Sequence, residues 1–166
     1  MTLIVGTVRL WLAMIFAAAA VSKILSWQEL PGVIQNFRVL PRGWVQPAAM
    51  VLPLLEAVLA VGLLIDAAHP WAPLLAALLF AAFGVALTVN YARGRRHIDC
   101  GCFRSGLKQT LTPAILLRNA VLTLCALLLA GFQIHESLAV MDWIVVGAAA
   151  LTLLLCYFSV GLAFPP

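Results

Sequence analysis

WAPLLAALLFAAFGVALTVNY, residues 71–91, is a run of 21 residues without one charged side chain. A helix of about 20 mostly apolar residues, rising 1.5 Å per residue, is long enough to cross the hydrocarbon core of a bilayer. In lipid only helices and closed barrels satisfy their own backbone groups, and this run lacks the alternation of a barrel strand. It therefore predicts a transmembrane helix. Working outward, the same reading applies near residues 3–25, 45–65, 113–132 and 138–162. The expected fold is all-α: a polytopic transmembrane bundle of about five spans, forming a single integral membrane domain over residues 1–166.

The composition agrees. Of 166 residues, 64% are hydrophobic and 10% charged. A soluble domain carries roughly 25% charged residues. This chain cannot cover a water-facing surface, so lipid is its expected solvent. The formal charge of +4 does not indicate nucleic acid, because the basic residues fall between the apolar runs. Residues 1–20 have the outline of a signal peptide, with Arg9, an apolar stretch and Ala17–Ala20. The run from Leu3 is nevertheless long enough to span, and a retained helix is expected.

Two connections are short. Residues 66–70 form a tight hairpin with Pro70 opening the next helix, and residues 134–137 do the same between the last two spans. Two are long. Residues 26–44 hold Trp27, Trp44, Pro31 and Pro41 with Val33, Ile34, Phe37 and Leu40, which suggests a partly helical interfacial segment after the first helix. Residues 92–112 form the other. Nine of the ten Lys and Arg residues lie in or beside these two connections, and Arg9 alone lies on the opposite side. The positive-inside rule then puts the long connections at the cytoplasm and the N-terminus outside.

The second long connection carries Arg95-Arg96-His97-Ile98-Asp99-Cys100-Gly101-Cys102-Phe103. A disulfide needs Cα atoms roughly 4.4–6.8 Å apart. Cys100 and Cys102 reach this only through a bend, which Gly101 permits. So tight a ring is expected to be strained, and strained disulfides are the more oxidising ones. Arg93, Arg95, Arg96 and Arg104 favour the nucleophilic thiolate, Asp99 opposes it unless protonated or paired, and His97 is placed to shuttle protons. The same thiols suit soft-metal capture, since thiolates select Cu(I). A structural zinc site wants four ligands, whereas His97 and two thiols make three. Two chemistries thus stay open at this motif: thiol–disulfide exchange, and carriage of Cu(I) or Hg(II) toward Cys125 or Cys156.

Within the spans, Glu56 sits near the middle of the second. A carboxyl at that depth is costly and marks a functional site by default. It must be protonated or paired, and Lys23 and Arg118 are the two candidate partners. Pro53, three residues earlier, removes a backbone hydrogen bond and is expected to bend the helix. Lys23 at the end of the first span is expected to snorkel to the headgroups, and the same fate competes with pairing for Arg118. Lys23, Glu56, Asn90, Arg118, Asn119 and Cys156 all fall toward the end bearing the thiols, which suggests a pocket. In an apolar bundle with few polar groups, the polar pocket around Glu56 and Arg118 could admit a quinone.

These residues resemble a known family. The thiol motif, Leu116-Leu117-Arg118-Asn119, Ser22-Lys23, Phe37-Arg38-Val39-Leu40-Pro41 and Pro53-Leu54-Leu55-Glu56 are similar to the MauE family of methylamine-utilisation membrane proteins, related to DoxX. One departure is that Arg104-Ser105 stand between Phe103 and Gly106, where the family has Gly directly after Phe. The resemblance implies a redox-associated protein of the bacterial inner membrane, handling disulfides of exported proteins beside a thioredoxin-like partner. Carried over by position, Cys100 and Cys102 are the redox pair, and Glu56, Arg118 and Asn119 match family positions. Disulfide work on exported proteins needs thiols at the outer face or a route across, whereas charge counting puts them near the cytoplasm. Cys125 and Cys156, which by their apolar surroundings read as small hydrophobes, could in principle relay electrons across.

Overall fold

The computed structural model describes residues 2–95, 111–132 and 140–163. They form six α-helices: α1 (Thr2–Leu25), α2 (Leu30–Phe37), α3 (Arg42–Leu64), α4 (Trp71–Ala92), α5 (Pro113–Gly131) and α6 (Val140–Ala163). No strand occurs among the described residues. All but α2 are long and apolar enough to cross a membrane. The all-α bundle of five spans expected from the sequence is the observed architecture.

Apolar side chains surround every span, so burial does not sort them from polar ones as it does in water. Along α3, Met50, Leu54, Val58 and Val61 face outward, while Ala49, Pro53, Glu56, Ala60 and Leu63 face in. The outward faces are what lipid requires. The inward faces interleave large apolar residues with small ones, which let backbones approach closely. Ala13, Ala60, Ala72, Ala76, Ala77 and Ala126 are buried at these contacts. Phe16 of α1 stacks on Phe80 of α4 at 4.6 Å between ring centroids and fills the space that the alanines leave.

The helix α1 is central. It packs against α3 along one side and α6 along another, and it touches α5. The α4–α5 pair is equally intimate, whereas α3 and α4 meet along only a short contact. Helix α6 joins the bundle through Val146 and Ala150, both fully buried.

The interfacial segment is shorter than residues 26–44. Residues 26–29 turn, α2 follows, and α3 begins at Arg42, so Trp44 lies in its first turn. Helix α2 has eight residues, or about 12 Å, which is too short to span. It opens with Pro31 in its first turn and ends where Arg38 adopts a left-handed conformation, its N–H donating to the Gln35 carbonyl. Helix α3 runs through Pro47 and Pro53 as one continuous element. Trp27 and Trp44 are exposed near one end of the bundle and Trp71 near the other, as in interfacial aromatic belts.

Candidate functional site

Lys23 is the last basic residue of α1, and Glu56 lies midway along α3. Because α1 and α3 pack along their lengths, the two side chains meet. Lys23 Nζ donates to Glu56 Oε1 at 2.7 Å and to Oε2 at 2.9 Å. Lys23 is 5% exposed and Glu56 1%. Both numbers matter, because they overturn the expectation that Lys23 snorkels. Its ammonium does not reach for headgroups; a carboxylate already stands at its level, and leaving that carboxylate unpaired in apolar surroundings is the costlier arrangement. The ammonium also lies 5.7 Å from the ring centroid of Phe83 on α4. Three spans thus contribute to one buried polar point.

Arg118, the other candidate partner, is used elsewhere. Its guanidinium carbon sits 4.5 Å from the ring centroid of Tyr157 on α6, a cation–π arrangement. Asn119, one residue on, turns toward α4 and donates from Nδ2 to the Phe80 carbonyl at 2.6 Å. A side chain at Gly84 would collide with that amide, since its Cβ would lie 2.7 Å from Nδ2. Asn90 is fully buried; Nδ2 donates to the Ala86 carbonyl of its own helix, and Oδ1 has no hydrogen-bond partner among the described residues. Cys125 is half-buried against the core, and Cys156 is exposed. Of the six positions expected to share a pocket, the structure joins Lys23 and Glu56 directly and sends Arg118 and Asn119 to other helices.

Arg96, His97, Asp99, Cys100 and Cys102 lie outside the described residues. The residues that flank them are placed. Arg95 Nη1 donates to the Asn36 carbonyl at 3.1 Å, and Arg93 Nη1 to the Arg38 carbonyl at 3.4 Å. On the far side, Leu111 is buried beside Leu87 with Phe37, Tyr91, Ile115 and Leu116 around them. Both ends of the thiol connection are therefore fastened near the C-terminus of α2.

Beneath α2 lies a cavity of about 390 Å³ between α3 and α4. Leu30, Val33, Ile34 and Phe37 roof it, Leu52, Leu55, Leu79 and Phe83 wall it, and Lys23 forms part of the lining. At the opposite end of the bundle is a second polar cluster that the sequence reading did not assemble. Arg9 pairs with Asp66 and donates to the Leu63 carbonyl, and His69 Nε2 lies 3.1 Å from the Leu129 carbonyl. The available signal was the opposite charge of Arg9 and Asp66 on one membrane face.

A family model described as methylamine utilisation protein MauE matches residues 1–132, which covers α1 through α5. The chain belongs to the MauE family. Three MauE relatives, each named methylamine utilization protein MauE, show the extent of the similarity. The one from Paracoccus denitrificans is 46% identical over 77% of this chain and 69% of its own length. The Paracoccus versutus MauE is 45% identical over 75% of this chain and 67% of its own. That of Methylorubrum extorquens is 43% identical over 90% and 82%. No solved structure matches this MauE chain. The MauE match includes Lys23, Glu56, Arg118, Asn119 and the thiol motif.

Proposed function

We propose that this chain is a thiol–disulfide redox component of the bacterial inner membrane that serves methylamine utilisation, the process for which its relatives are named. Cys100-Gly101-Cys102, flanked by arginines in a chain of this family, is the observation that carries the reading. A thiolate of the pair attacks one sulfur of a disulfide in a thioredoxin-like partner. The other partner sulfur leaves as a thiolate and takes a proton, and a mixed disulfide remains. The neighbouring thiolate then attacks this chain's own bridging sulfur, which releases the partner as a dithiol and closes Cys100–Cys102. Two electrons have passed to the partner. The reverse sequence, which a strained pair favours, oxidises a partner dithiol and leaves Cys100 and Cys102 reduced; a membrane quinone then takes their two electrons and two protons, becoming a quinol, and the disulfide re-forms. The charge distribution favours a cytoplasmic position for the thiols.

Trapping tests the reading. A Cys102→Ser or Cys100→Ser variant accumulates a mixed disulfide with a thioredoxin-like protein in cells, detected as a reducible band. If neither variant traps a partner and the wild-type pair never changes redox state, the reading is wrong.

A further inference from the structure

We infer that the cavity under α2 is a quinone-binding site whose ligand takes a hydrogen bond from Lys23. The volume of about 390 Å³ falls within the roughly 300–1,000 Å³ of small-molecule pockets. Its lining is apolar apart from the Lys23 side chain, which is nine-tenths buried. Such a site selects an uncharged, largely apolar molecule that carries a hydrogen-bond acceptor. An ammonium holds three N–H donors. Glu56 accepts two of them, and no acceptor among the described residues takes the third. A ring carbonyl is such an acceptor. Because Glu56 balances the charge, an anionic headgroup gains little here, and a neutral carbonyl suffices.

Shape points the same way. Phe83 and Phe37 contribute to opposite sides of the lining, on α4 and α2, and suit a flat ring. The short contact between α3 and α4 leaves space between two spans, which suits a ligand that arrives through lipid with a long tail. The choice of a quinone among flat apolar carbonyl compounds rests on the redox reading above; the site's geometry does not.

The experiment uses the full chain in detergent or nanodiscs, with decylubiquinone as the probe and decylbenzene as a tail-matched control without carbonyls. Decylubiquinone is expected to bind saturably at one per chain, and decylbenzene at least tenfold more weakly. Ala86→Phe, which fills the cavity from α4, is expected to abolish binding. Lys23→Met combined with Glu56→Gln, which removes the donor without orphaning a charge, is expected to weaken it at least tenfold. Ala82→Phe serves as a second filler if Ala86→Phe does not fold. Equal binding of the two probes assigns the cavity to acyl chains and overturns the inference, as does saturable binding that survives both a folded filler and the double variant, or no saturable binding at all. A Cys100→Ser/Cys102→Ser variant separates this result from the redox reading. It must still bind decylubiquinone, whereas a folded filler variant that also carries Cys102→Ser or Cys100→Ser must still trap the thioredoxin-like partner.

Discussion

A Cβ at Gly84 would lie 2.7 Å from the amide nitrogen of Asn119, so the Asn119 side chain can hold its place between α4 and α5 because position 84 lacks one. The contact is a lock rather than a simple gap. The Asn119 amide also bonds to the Phe80 carbonyl one turn away, and Thr123 donates to the Asn119 carbonyl at 2.9 Å. Gly84→Ala must therefore displace a hydrogen-bonded side chain. Overpacking of this kind typically costs about 1–3 kcal/mol. Thermal unfolding in detergent should show Gly84→Ala destabilised by that order, with Asn119→Ala restoring much of the loss in the double variant. Simple additivity would mean that the two positions do not oppose each other.

The buried ion pair predicts a different pattern of coupling. Removing one partner of a buried pair costs roughly 3–5 kcal/mol, because the other charge is left unpaired, while replacing both by apolar or neutral groups is often tolerated. Lys23→Met and Glu56→Gln should each lower the yield of folded protein sharply. The double variant should recover most of it, as read by unfolding midpoint and monodispersity in detergent. A double variant as unstable as the sum of the singles would show that the pair contributes more than mutual neutralisation.

How much of this was legible in the sequence depends on whether a feature is local. The five spans follow from runs such as residues 71–91, since length and apolarity alone decide whether a helix crosses lipid. Helix α2 was legible as an interfacial segment because Val33, Ile34 and Phe37 recur at helical spacing between two tryptophans. The partner of Glu56 was narrowed to two residues and no further. Choosing Lys23 over Arg118 requires knowing that α3 lies along α1, and helix adjacency is not encoded in any one helix when every face is apolar. The same ignorance made Lys23 look like a snorkelling residue. Gly84 gave no signal, being one of several small residues in apolar runs until Asn119 is placed opposite it.

Arg118 and Tyr157 supply a further test, because they tie α5 to α6, which otherwise packs mainly on α1. A guanidinium stacks on an aromatic face as an ammonium cannot, so Arg118→Lys is not conservative here. Arg118→Lys and Tyr157→Leu should each loosen α6, costing about 0.5–2 kcal/mol, whereas Tyr157→Phe keeps the ring and should cost less. Protease cleavage within α6 in mild detergent is the readout. Cleavage at wild-type rates in both disruptive variants would show that the packing of α6 on α1, through Val146, Ala150 and their neighbours, holds the helix without this contact.

The charges of the bundle stand mostly at one end. Arg38, Arg93 and Arg95 cluster at the α2 end, with Arg42 in the first turn of α3, while Arg9 at the opposite end is neutralised by its pairing with Asp66. The rule counts Lys and Arg rather than net charge, so the bias lies in nine of the ten standing in or beside the two long connections, and the anion beside Arg9 adds little to it. The proposed cytoplasmic position of the α2 end rests on this bias. In a cysteine-free background, Gln35→Cys should react with an impermeant thiol reagent only from the cytoplasmic face of sealed vesicles, and Ala67→Cys only from the other face. Both positions are exposed, so lack of access does not confuse the result. The reverse labelling would place the Arg-rich end outside and would bring the Cys100–Cys102 connection to the face where exported proteins fold. Arg9 tests the cause. Asp66→Asn should leave the labelling pattern unchanged, and a raised fraction of inverted molecules would show that the pairing of Arg9 with Asp66 suppresses a competing signal.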